Sequence, residues 1–148
     1  MVALDAYALV AFLADEPARP EVAEILRGSC VMSTVNLAES LDVLGRVHGI
    51  AENELRGLVD PLLAEDALRV EVPAGDDAWV VARLRTQYYD RSTRELSLAD
   101  CFLLATAARL GASVATADPA IAETSLDESL ELIALPDRSG IRPNTRDL

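Results

Sequence analysis

The sequence predicts an α/β fold, a three-layer α/β/α sandwich built around a mostly parallel central sheet. Short apolar runs of strand length alternate with helical stretches along the chain, and strands separated by helices pair in parallel. The length of 148 residues suits a single core. We therefore predict one domain over residues 1–136 and a polar tail over residues 137–148, which we expect to pack loosely.

The first half of the chain is predicted to contain two strands and four helices. Proline and glycine residues mark the helix ends, and apolar residues three or four positions apart mark helix faces. The predicted elements are a strand at Val2–Leu4, helices at Tyr7–Leu13 and Glu21–Arg27, a strand at Cys30–Ser33, a helix at Thr34–Val47 and a helix at Ala51–Ala64 that is broken or bent at Pro61. Thr34 is expected to cap the helix that it begins.

The second half continues the alternation with three further strands. The predicted elements are strands at Leu68–Val72, Ser113–Ala117 and Leu130–Leu135, helices at Asp76–Tyr89 and Ser97–Leu110, and a short helix that opens at Pro119. Gly111 after a helix and Pro119 in a first turn are typical positions for these residues. The core residues expected on the helix at 76–89 are Trp79, Val80, Leu84 and Tyr88.

The basic residues and the single histidine exclude several classes of enzyme. All 13 basic residues are arginine, and lysine is absent. P-loop nucleotide binding needs a GK[ST] lysine, and receiver domains and haloacid-dehalogenase-type phosphatases normally use a lysine beside their aspartates. No GxGxxG occurs, so dinucleotide binding is unsupported. His48 is the only histidine, which argues against Ser-His-Asp chemistry and a cysteine–histidine zinc site.

The net charge of −12 argues against a broad polyanion-binding surface. A nucleic-acid-binding protein of this charge needs metal ions and a local arginine patch, and strong acidity also suits a basic protein partner. No apolar run approaches the roughly 18 residues of a membrane span, and no basic segment precedes the first apolar run, so we expect neither a membrane span nor a signal peptide. We expect a cytoplasmic protein with Cys30 and Cys101 reduced in the core.

Four carboxylates occupy positions that can converge. Asp5 follows the first predicted strand, and Asp118 follows the strand at Ser113–Ala117. Glu39 and Asp100 lie near the starts of helices that begin on the same edge of a parallel sheet. Ligands bind outside the carboxyl ends of the strands in such a sheet. We therefore predict that Asp5, Glu39, Asp100 and Asp118 meet in one crevice as catalytic and metal-binding residues.

Each acid also has a purely structural interpretation. Asp5 and Asp118 can each cap the helix that follows, and Glu39 can face solvent. Ser97 and Asp100 match the spacing of a capping box, with Asp in place of the usual Glu or Gln. The joint pattern of four acids favours a site over four independent structural roles.

A cluster of four acids points to a hard divalent cation. Two carboxylates about 5 Å apart repel by roughly 3 kcal/mol at an effective dielectric constant of about 20. Four of them therefore protonate, separate or recruit cations. Ligands that are all oxygen favour Mg²⁺ or Mn²⁺. Such an ion suits phosphodiester hydrolysis because it polarises the phosphate and lowers the pKa of a bound water.

The order of the acidic motifs resembles that of the PIN-domain nucleases, most closely the toxin ribonucleases of VapC type. The segments that carry the resemblance are VALDAYAL at 2–9, STVNLAE at 33–39, LSLAD at 96–100 running into ATAA at 105–108, and VATAD at 114–118. The resemblance covers roughly residues 1–135. In that family a threonine commonly precedes the last aspartate by two residues, as Thr116 does here.

The resemblance implies a PIN-like sandwich, dependence on Mg²⁺ or Mn²⁺ and endonucleolytic cleavage of RNA. It further implies a homodimer and a small antitoxin that places a basic side chain in the acidic site. Three features depart from the family pattern. Tyr7 replaces a Ser or Thr two residues after the first aspartate, Pro119 directly follows Asp118, and the arginine-bearing tail is long.

The substrate-binding candidates are Thr116, Arg91 and Arg94. The two arginines belong to the densest basic stretch, residues 83–94, where guanidinium groups for phosphates are interleaved with aromatic rings for base stacking. The residues of this stretch are Arg83, Arg85, Tyr88, Tyr89, Arg91 and Arg94. The tail arginines either contact RNA or make no functional contact: Arg138, Arg142 and Arg146. The apolar segments between residues 18 and 63 form either an antitoxin groove or ordinary core.

Two other functions stay open at this point. The first is a catalytically idle PIN-like protein that acts as a binding module, an alternative suggested by Tyr7. The second is a structure-specific DNA nuclease of related fold. Such enzymes carry extra structural elements, and this chain lacks room for them.

Overall fold

Five short strands build the central sheet of the computed structural model, which describes residues 1–144. The strands are β1 (Val2–Leu4), β2 (Cys30–Ser33), β3 (Arg69–Glu71), β4 (Ser113–Thr116) and β5 (Leu132–Ala134). They lie in the order β3-β2-β1-β4-β5, and every neighbouring pair is parallel. The predicted α/β/α fold is therefore confirmed, with β1 and β4 as adjacent inner strands.

Helices connect consecutive strands and cover both faces of the sheet. They are α1 (Ala6–Leu13), α2 (Arg19–Leu26), α3 (Thr34–Asp42), a π-helical turn (Val43–Val47), α4 (Glu52–Ala64), α5 (Asp77–Tyr88), α6 (Leu98–Leu110) and α7 (Pro119–Asp127). The longest of these have 13 residues. None of the helices within residues 1–144 has the length and apolar character needed to cross a membrane.

The core has one layer on each side of the sheet because successive strand residues face opposite sides. Ala3 packs into a cluster with buried residues of α5, α6 and α7. Its neighbour Leu4 packs into a second cluster with buried residues of α1 and α2. Cys30 and Cys101 are buried in these clusters as free thiols, in agreement with the sequence-based expectation.

Three predictions about helices were wrong. Ser33, not Thr34, caps α3, because the Ser33 side chain accepts a hydrogen bond from the backbone N–H of Asn36. The predicted helix at 34–47 is α-helical only to Asp42 and continues as the π-helical turn. Trp79 was expected in the core, yet 79% of it is exposed, because the buried face of α5 is formed by other residues.

The described part of the tail contacts the domain, although we expected it to be loose. The Asp137 side chain accepts a hydrogen bond from the backbone N–H of Ser139 at 2.8 Å, which closes a tight turn. Arg142 forms an ion pair with Glu21 at 2.6 Å and so ties the tail to α2. Arg146 lies outside the described residues.

Candidate metal centre

Asp5 and Asp118 follow the carboxyl ends of the adjacent strands β1 and β4. Leu4 is in register with Ala115, so Asp5 comes level with Thr116. The Thr116 hydroxyl donates a hydrogen bond to Asp5 Oδ2 at 2.8 Å and accepts one from the backbone N–H of Asp118 at 3.0 Å. The buried hydroxyl of Thr116 therefore orients both Asp5 and the loop that carries Asp118.

Buried polar side chains of α3 hold Glu39 close to Asp100. Asn36 is fully buried, and its Nδ2 donates to the backbone carbonyl of Ala99 at 3.0 Å, which joins α3 to the start of α6. Ser40 is also fully buried and donates to the first backbone carbonyl of α1 at 3.2 Å. Glu39 lies on α3 between these two contacts, so its position is set relative to both neighbouring helices.

The four acids line one cavity of about 510 Å³ at the carboxyl edge of the sheet. The structure thus brings together Asp5, Glu39, Asp100 and Asp118, which are up to 113 positions apart in the chain. The wall of this cavity also contains Tyr7, Val10, Asp137 and Arg138. A second cavity of about 580 Å³ shares Glu39, Asp100 and Asp118 with the first. These three acids therefore lie where two cavities adjoin.

Burial raises the pKa of Asp5 from its ordinary value of 3.8 to about 7. The hydrogen bond from Thr116 acts in the opposite direction, and the charges of the other three acids raise the pKa further. Burial is also the main cause that raises the pKa values of Glu39 and Asp100. A nearby acid adds to each increase: Asp100 for Glu39, and Asp118 for Asp100. The acids of the cavity therefore repel one another when ionised.

The types of ligand present in the cavity fit a hard divalent cation. Glu39 Oε2 is buried and has no hydrogen-bond partner among the described residues. A buried carboxylate oxygen in this state is costly unless a donor or a cation satisfies it. However, no group of three or more His, Cys, Asp or Glu side chains within residues 1–144 is already arranged to hold a metal ion. A cation would therefore require the side chains of the cavity to rotate toward it.

Two of the acids also cap helices, so the structural interpretation of these two acids is confirmed. Asp100 Oδ2 accepts a hydrogen bond from the backbone N–H of Ser97 at 2.6 Å, and Ser97 Oγ accepts one from the backbone N–H of Asp100 at 3.1 Å, which completes the predicted capping box. Asp118 Oδ1 accepts from the backbone N–H of Ala120 at 2.7 Å. Each cap uses one carboxylate oxygen, and the other makes no hydrogen bond within residues 1–144. By contrast, Asp5 makes no side-chain cap.

The three substrate-binding candidates have different surroundings. Thr116 is fully buried beside Asp5 and has a structural link to the site. Arg91 is exposed and belongs to the wall of neither cavity. Arg94 needs a correction: its side chain is only 14% exposed, because it pairs with Glu123 at 2.5 Å and Asp127 at 2.8 Å. The guanidinium of Arg94 is therefore used to hold the structure together and is not available to substrate.

Tyr7 lines the first cavity but directs its hydroxyl away from the acids. The phenol donates a hydrogen bond to the backbone carbonyl of Pro136 at 3.1 Å. Burial and the nearby carboxylate of Glu16 raise the pKa of Tyr7 to about 12. Tyr7 therefore links α1 to the beginning of the tail, and it does not replace the small hydroxyl that is common at this position in the related family.

Sequence reasoning missed the residues that position the site and part of its surroundings. Asn36 and Ser40 gave a usable signal, since polar residues spaced four apart on a helix near a predicted site can be buried together. Arg85 and Tyr89 line the second cavity. They stood in the basic stretch identified from the sequence, but nothing in that stretch distinguished them from their neighbours.

Solved structures that resemble this fold include proteins of toxin–antitoxin systems. One is the sarcin–ricin loop cleaving toxin VapC20 of Mycobacterium tuberculosis, 16% identical over 77% of this chain and 87% of that chain, with a TM-score of 0.61. Another is VapBC2 from Rickettsia felis bound to a DNA fragment from their promoter, 16% identical over 90% and 98%, with a TM-score of 0.62. FitAcB from Neisseria gonorrhoeae is 22% identical over 89% and 96%, with a TM-score of 0.61.

The family assignment rests on a comparison of the sequence with family models. A comparison with curated protein sequences finds no significant match. The model of the PIN domain matches residues 2–126, which include all four acids of the cavity and every strand except β5. The chain therefore belongs to the PIN domain family.

Proposed function

We propose that this protein is a divalent-metal-dependent endoribonuclease and the toxin of a toxin–antitoxin pair. The observation that carries the proposal is the convergence of Asp5, Glu39, Asp100 and Asp118 on one cavity, with a buried oxygen of Glu39 that lacks a partner among the described residues. Membership of the PIN domain family supports nuclease chemistry, and the toxin–antitoxin neighbours support the biological role.

The four acids are the proposed ligands of Mg²⁺ or Mn²⁺. When bound, such an ion polarises a phosphodiester and lowers the pKa of a water molecule. Thr116 keeps Asp5 Oδ2 in a fixed orientation. The helix caps hold one oxygen each of Asp100 and Asp118, which leaves the second oxygen of each for the cavity. These contacts hold the backbones of the acids in place, and the remaining carboxylate oxygens would turn toward the ion on binding.

The proposed partners follow from charge and from the neighbours. A chain of net charge −12 with an acidic cavity suits an antitoxin that carries a basic segment. We further propose RNA as the substrate, a homodimer as the assembly and the cytoplasm as the location. The proposed nuclease domain is residues 1–136, with residues 137–148 as an appended tail.

Induced expression tests the proposal directly. The unaltered protein should arrest growth, and Asp100→Asn should not, because it removes a charge from the cavity while the Asn oxygen still accepts the cap hydrogen bond from Ser97. Asp60→Asn is the matched control, since Asp60 is exposed on α4 away from the acidic cavity. In parallel, the purified protein should cut RNA with Mg²⁺ or Mn²⁺ and not with EDTA. Equal toxicity of wild type and Asp100→Asn would reject nuclease activity as its cause.

A catalytically idle binding module is the second candidate. The observation that favours it is the lack, within residues 1–144, of three side chains already arranged around a metal position. An idle protein would bind little Mn²⁺, and its behaviour would be unchanged by Asp100→Asn. Titration calorimetry with Mn²⁺ on the wild type and on Asp100→Asn therefore separates the two candidates.

A further inference from the structure

We propose that Arg85 and Tyr89 form a subsite for an unpaired nucleotide of the substrate, next to the carboxylates. Both residues line the second cavity, together with Glu39, Asp100 and Asp118. A nucleotide in this cavity would therefore lie directly beside the acids of the first. The choice of RNA as the ligand rests on the proposed function, whereas the subsite itself rests on the positions and contacts of Arg85 and Tyr89.

Arg91 is exposed, and the other five residues of the basic stretch at residues 83–94 divide into two groups in the structure. One group fastens α5 and the following turn to α7 and to Glu128, the residue directly after α7. Arg83 pairs with Glu128 at 2.6 Å, and the Tyr88 hydroxyl donates to the same carboxylate at 2.7 Å. Arg94 pairs with Asp127 at 2.8 Å and lies over the ring of Tyr88, 5.2 Å from its centroid. These three side chains are used for tertiary structure.

Arg85 and Tyr89 form the other group, and both line the second cavity. The guanidinium carbon of Arg85 lies 4.1 Å from the centroid of the Tyr89 ring, so that the two planes can stack. Arg85 Nη1 donates a hydrogen bond to the backbone carbonyl of Leu96. A guanidinium group has five N–H donors, so this bond leaves others for a phosphate. Tyr89 remains 40% exposed and can offer ring surface to a base.

The turn that follows Tyr89 is well braced, which favours a preformed subsite. The Asp90 side chain accepts hydrogen bonds from the backbone N–H groups of Ser92 and Thr93 at 2.8 and 2.9 Å. A hydrogen bond from the Ser92 hydroxyl, together with these two bonds, lowers the pKa of Asp90 to about 2. Thr93 belongs to the wall of the second cavity. The turn therefore carries polar groups into the cavity without having to fold on binding.

The positive charge of Arg85 matters in the second cavity because the protein as a whole is acidic. The protein has a net charge of −12, and an RNA phosphate near the carboxylates would be repelled without a local cation. Arg85 lines the second cavity together with Asp100 and Asp118. Its positive charge can therefore attract the backbone of a nucleotide that lies at the edge of the acids.

Stacking on a tyrosine ring requires a base that is out of its helix. Single-stranded RNA presents such bases, whereas a continuous duplex does not. The subsite therefore selects single-stranded or looped RNA and places its phosphate beside the acids. This makes Tyr89 and Arg85 binding residues for the substrate and gives the enzyme a preference for unpaired cleavage sites.

Fluorescence anisotropy in the presence of Ca²⁺ tests the subsite. It measures the binding of a short, fluorescein-labelled single-stranded RNA of mixed sequence. Gels run after each titration verify that the RNA is intact, and thermal unfolding verifies that each variant is folded. Tyr89→Leu should weaken binding by about 5- to 100-fold, since it removes the stacking ring. Tyr89→Phe keeps the ring and should stay close to wild type. Neither change should alter the weaker binding of a blunt RNA duplex of the same sequence.

Arg85→Gln and Arg83→Gln form a matched pair on α5. Arg85→Gln should weaken binding and reduce its dependence on salt, because a phosphate contact is lost. Arg83→Gln removes an ion pair to α7 and should leave RNA affinity unchanged. Equal effects of the two arginine changes, equal effects of Tyr89→Phe and Tyr89→Leu, or no binding of the probe by the unaltered protein would each overturn the subsite.

Cleavage of the same probe with Mg²⁺ or Mn²⁺ separates this inference from the proposed function. Binding of the probe through Tyr89 without any cleavage would support the subsite and reject the nuclease assignment. Cleavage of the probe, with Tyr89→Leu equal to wild type in affinity and KM, would support the nuclease assignment and reject the subsite.

Discussion

The hydroxyl of Thr116 donates a hydrogen bond to Asp5 Oδ2 at 2.8 Å across two adjacent parallel strands. The hydroxyl oxygen of Thr116 also accepts a hydrogen bond from the backbone N–H of Asp118 at 3.0 Å, so the hydroxyl proton is directed at Asp5. Residues near opposite ends of the chain are thereby joined through one side chain.

Thr116→Val should destabilise the protein by about 1–3 kcal/mol, because it leaves a buried carboxylate without its donor and the Asp118 N–H without its acceptor. The free energy of unfolding from urea denaturation measures this loss. Cleavage should fall as well, since Asp5 loses its orientation. Thr116→Ser keeps the hydroxyl and should recover most of the activity.

Thr106→Val is the matched control for this substitution. Thr106 is also buried, but its hydroxyl has no hydrogen-bond partner within residues 1–144. Its replacement by an isosteric apolar side chain should be neutral or stabilising. If Thr116→Val cost no more stability than Thr106→Val, the hydrogen bond to Asp5 would have no energetic importance.

Asp5→Asn should stabilise the metal-free protein at neutral and alkaline pH. The pKa of Asp5 is raised to about 7 in the folded protein, against an ordinary value of 3.8. The folded state therefore keeps a proton that the unfolded state releases, and stability falls as pH rises from about 4 to about 7. The loss amounts to roughly 2–4 kcal/mol, and Asn avoids it because it stays neutral.

Urea denaturation of both forms across this pH range, in EDTA, measures the effect. The advantage of Asp5→Asn should grow between about pH 4 and about pH 7 and then level off. Asp60→Asn on the exposed side of α4 should follow the wild-type curve. A constant difference between Asp5→Asn and wild type at every pH would show that Asp5 does not hold a proton in the folded protein.

Mn²⁺ should raise the unfolding temperature of the wild-type protein, because a ligand that binds only the folded state stabilises it, and EDTA should reverse the increase. The repulsion among the acids of the cavity and the unpartnered oxygen of Glu39 supply the physical reason. Glu39→Gln should be less responsive to Mn²⁺ than wild type. An equal increase for Glu39→Gln and wild type in differential scanning fluorimetry would place the ion elsewhere.

Asn36→Ala should lower both stability and cleavage. It removes the buried hydrogen bond to the backbone carbonyl of Ala99 and costs about 1–3 kcal/mol. It also loosens α3 against α6, so Glu39 and Asp100 are held less closely, and kcat should fall more than KM rises. Asn53→Ala on the exposed side of α4 is the control. Full activity of folded Asn36→Ala would show that this contact does not position the acids.

Much of the fold was accessible from local patterns. The β1 strand at Val2–Leu4 and the β2 strand at Cys30–Ser33 have the predicted bounds, because short apolar runs between turn residues have few alternatives. The capping box of Ser97 and Asp100 was also predictable, since it depends on residues three apart. The π-helical turn was not, because Val43–Val47 has ordinary helical spacing, and Leu44 of the turn packs against Leu55 of α4, a contact between separate elements.

Sequence alone determined which acids stand at the carboxyl ends of strands and at helix starts, since a parallel sheet puts all such positions on one edge. Only the tertiary structure decided which arginines are available. Arg94 and Arg85 look alike in the sequence, yet Arg94 is enclosed by carboxylates of α7 while Arg85 faces the cavity. The identity of a residue reveals its charge, but the partner of that charge is supplied by elements distant in the chain.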